Sequence, residues 1–66
     1  MELLIIKSGQ EYIRIKSKED LLVPLDKASV FPTGQIERVN QHVTRLKKEG
    51  FGTVCIKRLI LTEKDL

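Results

Sequence analysis

Residues 2–16 read ELLIIKSGQEYIRIK and contain two strand-like runs of different character. Residues 3–6 are aliphatic at every position, whereas residues 12–16 alternate apolar and basic side chains. Side chains alternate between the faces of a strand, so the first run predicts a strand that is apolar on both faces, and the second a strand that is apolar on one. The intervening tripeptide 8–10 contains a glycine, which predicts a β-hairpin.

Two further apolar runs predict additional strands. Residues 21–25 form a third run, and because Pro24 lacks an amide donor this run is typical of an edge strand or an extended loop. Residues 53–61 form a fourth run, which places Val54 and Ile56 on one face. Leu59 has moved to the opposite alternation, which indicates either a bulge near residues 57–58 or an earlier end of the strand.

A helix is predicted over residues 33–49, with Thr33 as its N-cap after a proline. Its apolar stripe recurs at spacings of three and four and consists of Ile36, Val39, Val43 and Leu46. Gly50 is placed to end the helix in a left-handed conformation, with a Schellman contact between Leu46 and Phe51. The connector 26–32 is expected to be irregular, with Val30 and Phe31 tucked under the helix.

The order β-β-β-α-β predicts one α+β domain spanning residues 1–66. We expect a small, mostly antiparallel sheet of three to four strands with one amphipathic helix packed on one face. If the helix returns the chain by a right-handed crossover, the last strand lies beside the first and parallel to it, which gives the order 4-1-2-3. This order makes the run at residues 3–6 central.

Composition narrows the classes of protein that fit. The chain has 66 residues, of which 41% are hydrophobic and 32% charged, which is typical of a globular domain. Cys55 is the single cysteine and His42 the single histidine, so neither an internal disulfide nor a closed zinc site is expected, and no cofactor is implied. A domain this small has a marginal core, which favours association, and we expect a homodimer.

The compartment is expected to be the cytoplasm. No stretch approaches the roughly 18 apolar residues that span a bilayer, no signal segment is recognised, and a lone thiol fits a reducing environment. The net charge of +3 is mildly basic, with both signs interspersed.

The sheet face away from the helix is the candidate interaction surface. It is expected to carry two residues of the first run, with either Ile5 or Ile6 pointing away from the helix. Four further side chains are predicted on this face: Tyr12, Arg14, Lys16 and Lys57. An apolar stripe bordered by an aromatic ring and cations suits a protein partner, and a second copy of the chain is the expected one. The alternative is an ordinary solvated sheet face.

Weak nucleic-acid binding is the other functional hypothesis. The same face loosely imitates a platform that stacks bases and neutralises phosphates. The helix offers a second candidate, a basic face made of Arg38, His42, Arg45 and Lys48. Glu37 and Glu49 interrupt this face, and a charged solvent side is ordinary for an amphipathic helix.

Catalysis is not expected. His42 and Cys55 are the one conceivable base and nucleophile, but the first lies on the polar side of the helix and the second in mid-strand among apolar neighbours. The scattered glycines form no phosphate loop, and no small-molecule substrate is implied. The sequence therefore predicts a non-enzymatic protein-interaction or accessory module.

Overall fold

The computed structural model describes residues 1–17 and 19–65 of the chain. In these residues it contains a five-stranded sheet, one α-helix and two short 3₁₀ turns, Leu25–Lys27 and Thr33–Gln35. The elements are β1 (Glu2–Ser8), β2 (Glu11–Ile15), β3 (Asp20–Val23), β4 (Phe31–Pro32), α1 (Ile36–Lys48) and β5 (Val54–Ile60). The predicted α+β class, with one helix against a mostly antiparallel sheet, is confirmed.

Strand β1 is the centre of the sheet. Along one edge it pairs antiparallel with β5 over its whole length, from Glu2 opposite Ile60 to Ser8 opposite Val54. The ladder continues one residue further, because Leu61 N–H donates to the Met1 carbonyl at 2.8 Å and the Met1 nitrogen donates to the Leu61 carbonyl at 3.0 Å. This long pairing places the start of the chain beside Leu61.

The other edge of β1 is shared by two strands. Its C-terminal end pairs with β2 and its N-terminal end with β4, where Leu4 lies opposite Phe31. Beyond its pairing with β1, β2 is hydrogen-bonded to Ser29 of the connector. Ser29 N–H donates to the Ile13 carbonyl at 3.1 Å, and Ile15 N–H donates to Ser29 Oγ at 2.8 Å. The connector therefore pairs with β1 through β4 and with β2 through Ser29.

The prediction that the last strand runs parallel to the first is wrong, because β5 is antiparallel to β1. The spatial order β5-β1-β2-β3 is the expected one. The direction differs because the two residues of β4 reverse the chain once more before the helix begins.

The expected interruption of the last strand is also absent. The β1–β5 register runs unbroken through Lys57 and Arg58, so this ladder has no bulge and β5 does not end early. Leu59 therefore keeps the alternation of Lys57 and lies directly opposite Leu3. The apolar side chain of Leu59 therefore lies on the opposite face of the sheet from those of Val54 and Ile56.

The first hairpin forms as predicted. Gly9 has φ of 60° and occupies the first position of a two-residue loop, as type II′ turns require. β3 is an edge strand that ends just before Pro24, in agreement with the missing amide donor.

The helix begins later than predicted and ends as predicted. Thr33 opens a 3₁₀ turn and is not the N-cap; Gln35 occupies that position and makes no side-chain capping bond. At the other end Gly50 has φ of 95°, its N–H donates to the Lys47 carbonyl, and Phe51 N–H donates to the Leu46 carbonyl. These two bonds make the predicted Schellman motif.

The core lies between α1 and the helix-facing side of the sheet. Its buried members are Leu4, Ile6, Ile13, Val39, Leu46 and Val54. Phe31 and Phe51 are half-buried against this cluster, whereas Val30 is 50% exposed, so the expectation that Val30 tucks under the helix is wrong. Phe31 and Val30 are neighbours in the chain, and an extended backbone directs them to opposite sides.

Helix α1 is the longest helix of the described residues, and nothing in that part of the chain is both long and apolar enough to cross a membrane as a helix.

Replacing Gly50 by alanine is expected to lower the free energy of unfolding by about 1–2 kcal/mol, because an L-residue is strained at positive φ. A Cβ at Gly50 would meet no atom within 4 Å, so the cost is that of the backbone alone. Urea unfolding of Gly50→Ala measures it. Gly34→Ala is the matched control, since its Cβ also enters open space without a positive φ, and it should leave stability unchanged or slightly higher. Equal effects of the two changes would contradict this account of the helix end.

Candidate interaction surface

The sheet has a second face, directed away from α1. Core residues Leu4, Ile6 and Ile13 define the helix-facing side, so the alternate residues of each strand form the second face. The register between strands gives the same assignment, because directly opposed residues point to the same side. The members of the second face are Leu3, Ile5, Lys7, Tyr12, Arg14, Leu21, Val23, Pro32, Cys55, Lys57 and Leu59.

The predicted surface residues are mostly brought together there. Tyr12, Arg14 and Lys57 all lie on the second face, on β2 and β5. Lys16 follows the end of β2 and is exposed outside the strand. Of the two isoleucines, Ile5 is the one that points away from the helix, and Ile6 belongs to the core.

Lys7 is a second-face cation that sequence reasoning did not select. It lies directly opposite Tyr12, and its Nζ sits 5.5 Å from the centroid of the tyrosine ring, within the range of a cation–π contact. The sequence does place Lys7 on this face, because Lys7 continues the alternation of Leu3 and Ile5 along β1. The contact orders a cation and an aromatic ring side by side on the surface.

The apolar stripe of the second face is less open than the sequence suggested. Ile5 is only 3% exposed, although no helix covers this side, and Leu3 is half-buried. Lys57 lies directly across from Ile5, and Lys7 follows it on the same strand face. Lysine side chains bury their aliphatic stems along apolar surface and keep the ammonium in water. These two cations therefore border the buried Ile5 on the second face.

Charge is divided between the two faces. The carboxylates of the strands are those of Glu2, Glu11 and Asp20, and the register places all three on the helix-facing side. Glu2 pairs there with Arg58, with 3.4 Å between Oε1 and Nε. Among the described strand residues, the second face thus carries cations and no carboxylate. This segregation favours ligands that bring negative charge.

The helix carries a compact polar cluster that ties it to β3. Arg45 donates from Nη1 to Asp20 Oδ2 at 3.0 Å and from Nη2 to Oδ1 at 3.3 Å. The Asp20 side chain is 4% exposed and that of Arg45 is 40% exposed. The paired contacts fit the planar fork of a guanidinium on a carboxylate. Arg45 therefore neutralises a buried charge.

His42 extends this cluster towards the start of the helix. Its ring lies 5.7 Å from that of Phe31, and its Nδ1 is 3.1 Å from Arg45 Nη2. A guanidinium only donates hydrogen bonds, so Nδ1 accepts and the neutral ring carries its proton on Nε2. Burial lowers the pKa of His42 below 6.5, and the charges of Arg45 and Arg38 lower it further, against the opposing effect of Asp20.

The predicted basic helix face is therefore interrupted. Arg38 and Lys48 are exposed, but Arg45 is engaged by Asp20, and His42 is held neutral between Phe31 and Arg45. A sequence reading could not foresee this, because Asp20 precedes the helix by 25 positions and no local signal links it to Arg45.

His42 and Cys55 do not form a pair. Cys55 is half-buried on the second face, opposite Lys7, and His42 lies on the helix on the other side of the sheet. Within residues 1–17 and 19–65, no three His, Cys, Asp or Glu side chains are grouped so that they could hold a metal ion.

Comparison with other proteins gives no family assignment. No protein-family model matches the chain, and no curated protein or solved structure matches it significantly. Its function is therefore inferred from the two surfaces described above.

Removing Arg45 is expected to destabilise the fold more than neutralising Asp20. Arg45→Met keeps an apolar stem but leaves the Asp20 carboxylate buried without its partner, at a cost of about 2–3 kcal/mol in the free energy of unfolding. Asp20→Asn leaves an oxygen that still accepts from Arg45, whose half-exposed guanidinium reaches water, so about 1 kcal/mol is lost. Urea unfolding compares the two. The exposed Arg38→Met serves as control, and equal losses for both cluster variants would contradict the assigned roles.

Stability is expected to fall as the pH drops below 6.5, because the pKa of His42 is lower in the folded than in the unfolded chain. Above 6.5 both states are neutral at this residue; below it the unfolded chain takes up the proton first, and the loss continues until the lower folded pKa is passed. Protonation also removes the Nδ1 acceptor from Arg45. Urea midpoints measured from pH 7.5 to pH 5 should decline less for His42→Gln, and parallel declines would rule out the contribution of His42.

Proposed function

We propose that this chain is a non-enzymatic binding module whose second face contacts another protein. The observation that carries the proposal is the combination found on this face: half-buried apolar side chains interleaved with Lys7, Arg14 and Lys57, and no carboxylate among the described strand residues. Aromatic and apolar residues bordered by charge are typical of interfaces whose register is set by electrostatics.

The charges of the second face favour a partner other than a second copy in face-to-face packing. Stacking two such faces would set Lys7, Arg14 and Lys57 of one copy against the same cations of the other. Like charges brought together in a desolvated interface are unfavourable. A partner with an apolar patch bordered by Asp or Glu meets the same face with complementary charge. The expected ligand is therefore an acid-rimmed protein surface.

Nucleic-acid binding is the second candidate, and the cations beside Tyr12 are the observation in its favour. The argument against nucleic-acid binding is the small number of aromatic rings that are available to stack on bases. Of the chain's aromatic residues, Phe31 and Phe51 pack against the core, and Lys7 already lies over the ring of Tyr12. Single-strand platforms gain much of their affinity from several stacked bases.

The test of the proposed function is a paired charge reversal on the second face. Immobilised wild-type protein is compared with Lys7→Glu/Arg14→Glu in capture from a lysate of the source cells, followed by mass spectrometry. Lys47→Glu/Lys48→Glu is the matched control, because it makes the same charge change at exposed helix positions. We expect the wild type and the control to retain the same proteins, and the second-face variant to lose them. Identical capture by all three would refute the assignment, provided circular dichroism shows that all are folded.

The same variants separate the two candidates. A fluorescence titration with single-stranded and duplex oligonucleotides should show little binding. If three cations each contacted a phosphate of a single strand, affinity would instead fall roughly 20-fold between about 50 and 200 mM salt. Such a salt dependence, abolished by Lys7→Glu/Arg14→Glu and kept by the control, would replace the protein partner with a nucleic acid.

A further inference from the structure

Strand β5 leaves one edge open. It pairs with β1 along its inner edge, and no second ladder to β5 occurs in residues 1–17 and 19–65. An open edge presents unpaired N–H and C=O groups, on which another strand can add. At Val54–Ile60 this edge is seven residues long, against four for the opposite edge strand β3.

The hydrogen bonds of the β1–β5 ladder identify which groups face outward. Met1 and Leu61 exchange both of their bonds, which makes them a narrow pair of the antiparallel ladder. Narrow and wide pairs alternate, so the odd residues of β5 bond to β1 and the even residues direct their backbone groups outward. The outward residues are Val54, Ile56, Arg58 and Ile60.

The end of β5 is also the most exposed apolar part of the described chain. Met1 is 82% exposed, Ile60 64% and Leu61 45%. Residues 62–65 follow as an exposed segment without assigned structure, and the chain is elongated, at 43 × 23 × 22 Å. Two acids, Glu63 and Asp65, stand in this segment, whereas the charged residues of β5 itself are Lys57 and Arg58.

We propose that a second copy of this chain pairs antiparallel with the open edge of β5, with Ile60 opposite Ile60 of the second copy. In this register Lys57 lies opposite Glu63 of the second copy, and by symmetry the ion pair occurs twice. Leu59 lies opposite Leu61 of the second copy on the same sheet face. Residues 62–65 are thereby ordered as an extension of β5.

Charge selects this register from those that the backbone allows. Outward groups belong to even residues, so registers differ by steps that keep even residues opposite even ones. Full overlap of the two β5 strands sets Lys57 against Lys57, and the next step towards the C-terminus sets Arg58 against Arg58; like charges directly opposite are destabilising. A step beyond the proposed register pairs Lys57 with Asp65 but sets Arg58 against Lys64. The register with Leu59 opposite Leu59 sets no like charges directly opposite, but it places Lys57 against Leu61 and forms no ion pair. The proposed register is the one that sets opposite charges together without like charges directly opposite.

The pairing satisfies backbone groups and covers apolar ones. Even residues from Ile56 to Lys64 form five narrow pairs with the second copy, which correspond to about ten backbone hydrogen bonds. The exposed Ile60 side chains become cross-strand neighbours beside the symmetry axis. The two helices lie on the same side of a continuous sheet, and both second faces remain open on the other side.

Reciprocal charge reversal tests the proposal. Native mass by light scattering over a wide concentration series should show a dimer for the wild-type protein. Lys57→Glu sets two acids opposite each other twice and Glu63→Lys two lysines, so each should weaken the dimer at least about tenfold. The two variants mixed together should recover it, since every contact is then complementary, and so should the double variant Lys57→Glu/Glu63→Lys. Lys48→Glu, an exposed control with the same charge change as Lys57→Glu, should have no effect.

A monomer at every concentration, a dimer that ignores the reversals, or a mixture that fails to recover would each overturn the proposal. The register is tested separately in a Cys55→Ser background. Ile60→Cys should form a disulfide between copies, because a residue opposite itself in a narrow pair lies within disulfide reach. Arg58→Cys should not, and its cross-linking instead would show another register. Since Lys7 and Arg14 take no part here, failure of this pairing leaves the second-face proposal standing, and the reverse also holds.

Discussion

The fold depends on the requirement that β1 be enclosed on every side. Ile6 is 1% and Ile5 3% exposed, although they point to opposite faces of the sheet, and both edges of the strand are hydrogen-bonded. A chain of 66 residues offers little material for this. One helix covers one face, Lys7 and Lys57 border Ile5 on the other, β5 fills one edge, and the remaining edge is divided between β2 and β4. The positions of the other elements follow from the requirement that both faces and both edges of β1 be covered.

Local signals in the sequence are sufficient for most elements and insufficient for their directions. The hairpin at Gly9 and the helix end at Gly50 are predictable because each depends on a backbone conformation that glycine adopts without strain. The strand Phe31–Pro32 is too short to show any alternation, and it exists because β1 has an unpaired edge there. A prediction that omits this strand therefore gives β5 the wrong direction. Thr33 likewise suits an N-cap locally, but the 3₁₀ turn that follows β4 moves the helix start to Ile36.

The candidate surface is predictable to the extent that it follows strand alternation. Tyr12, Arg14 and Lys57 share a face because their spacing and the register agree, and the same rule would have added Lys7. The helix face is different, since its character depends on a residue outside the helix. The buried Asp20 carboxylate pairs with Arg45. Of the predicted basic helix face, Arg38 and Lys48 remain as separate exposed cations. Only tertiary structure reveals which charges are already neutralised.

The distribution of charge connects the fold to binding. Asp20 and Glu2 are paired with arginines on the helix-facing side, so two of the three strand carboxylates are neutralised within the domain. The cations of the second face receive no such compensation from the strands. Lys57 stands where both surfaces meet, in the middle of an open edge and opposite a buried isoleucine. A lysine at such a position opposes indiscriminate strand addition, because it tolerates only a neighbour without positive charge and prefers an acid. One side chain thus borders the apolar stripe, contributes to the charge of the second face and restricts which strand can extend the sheet.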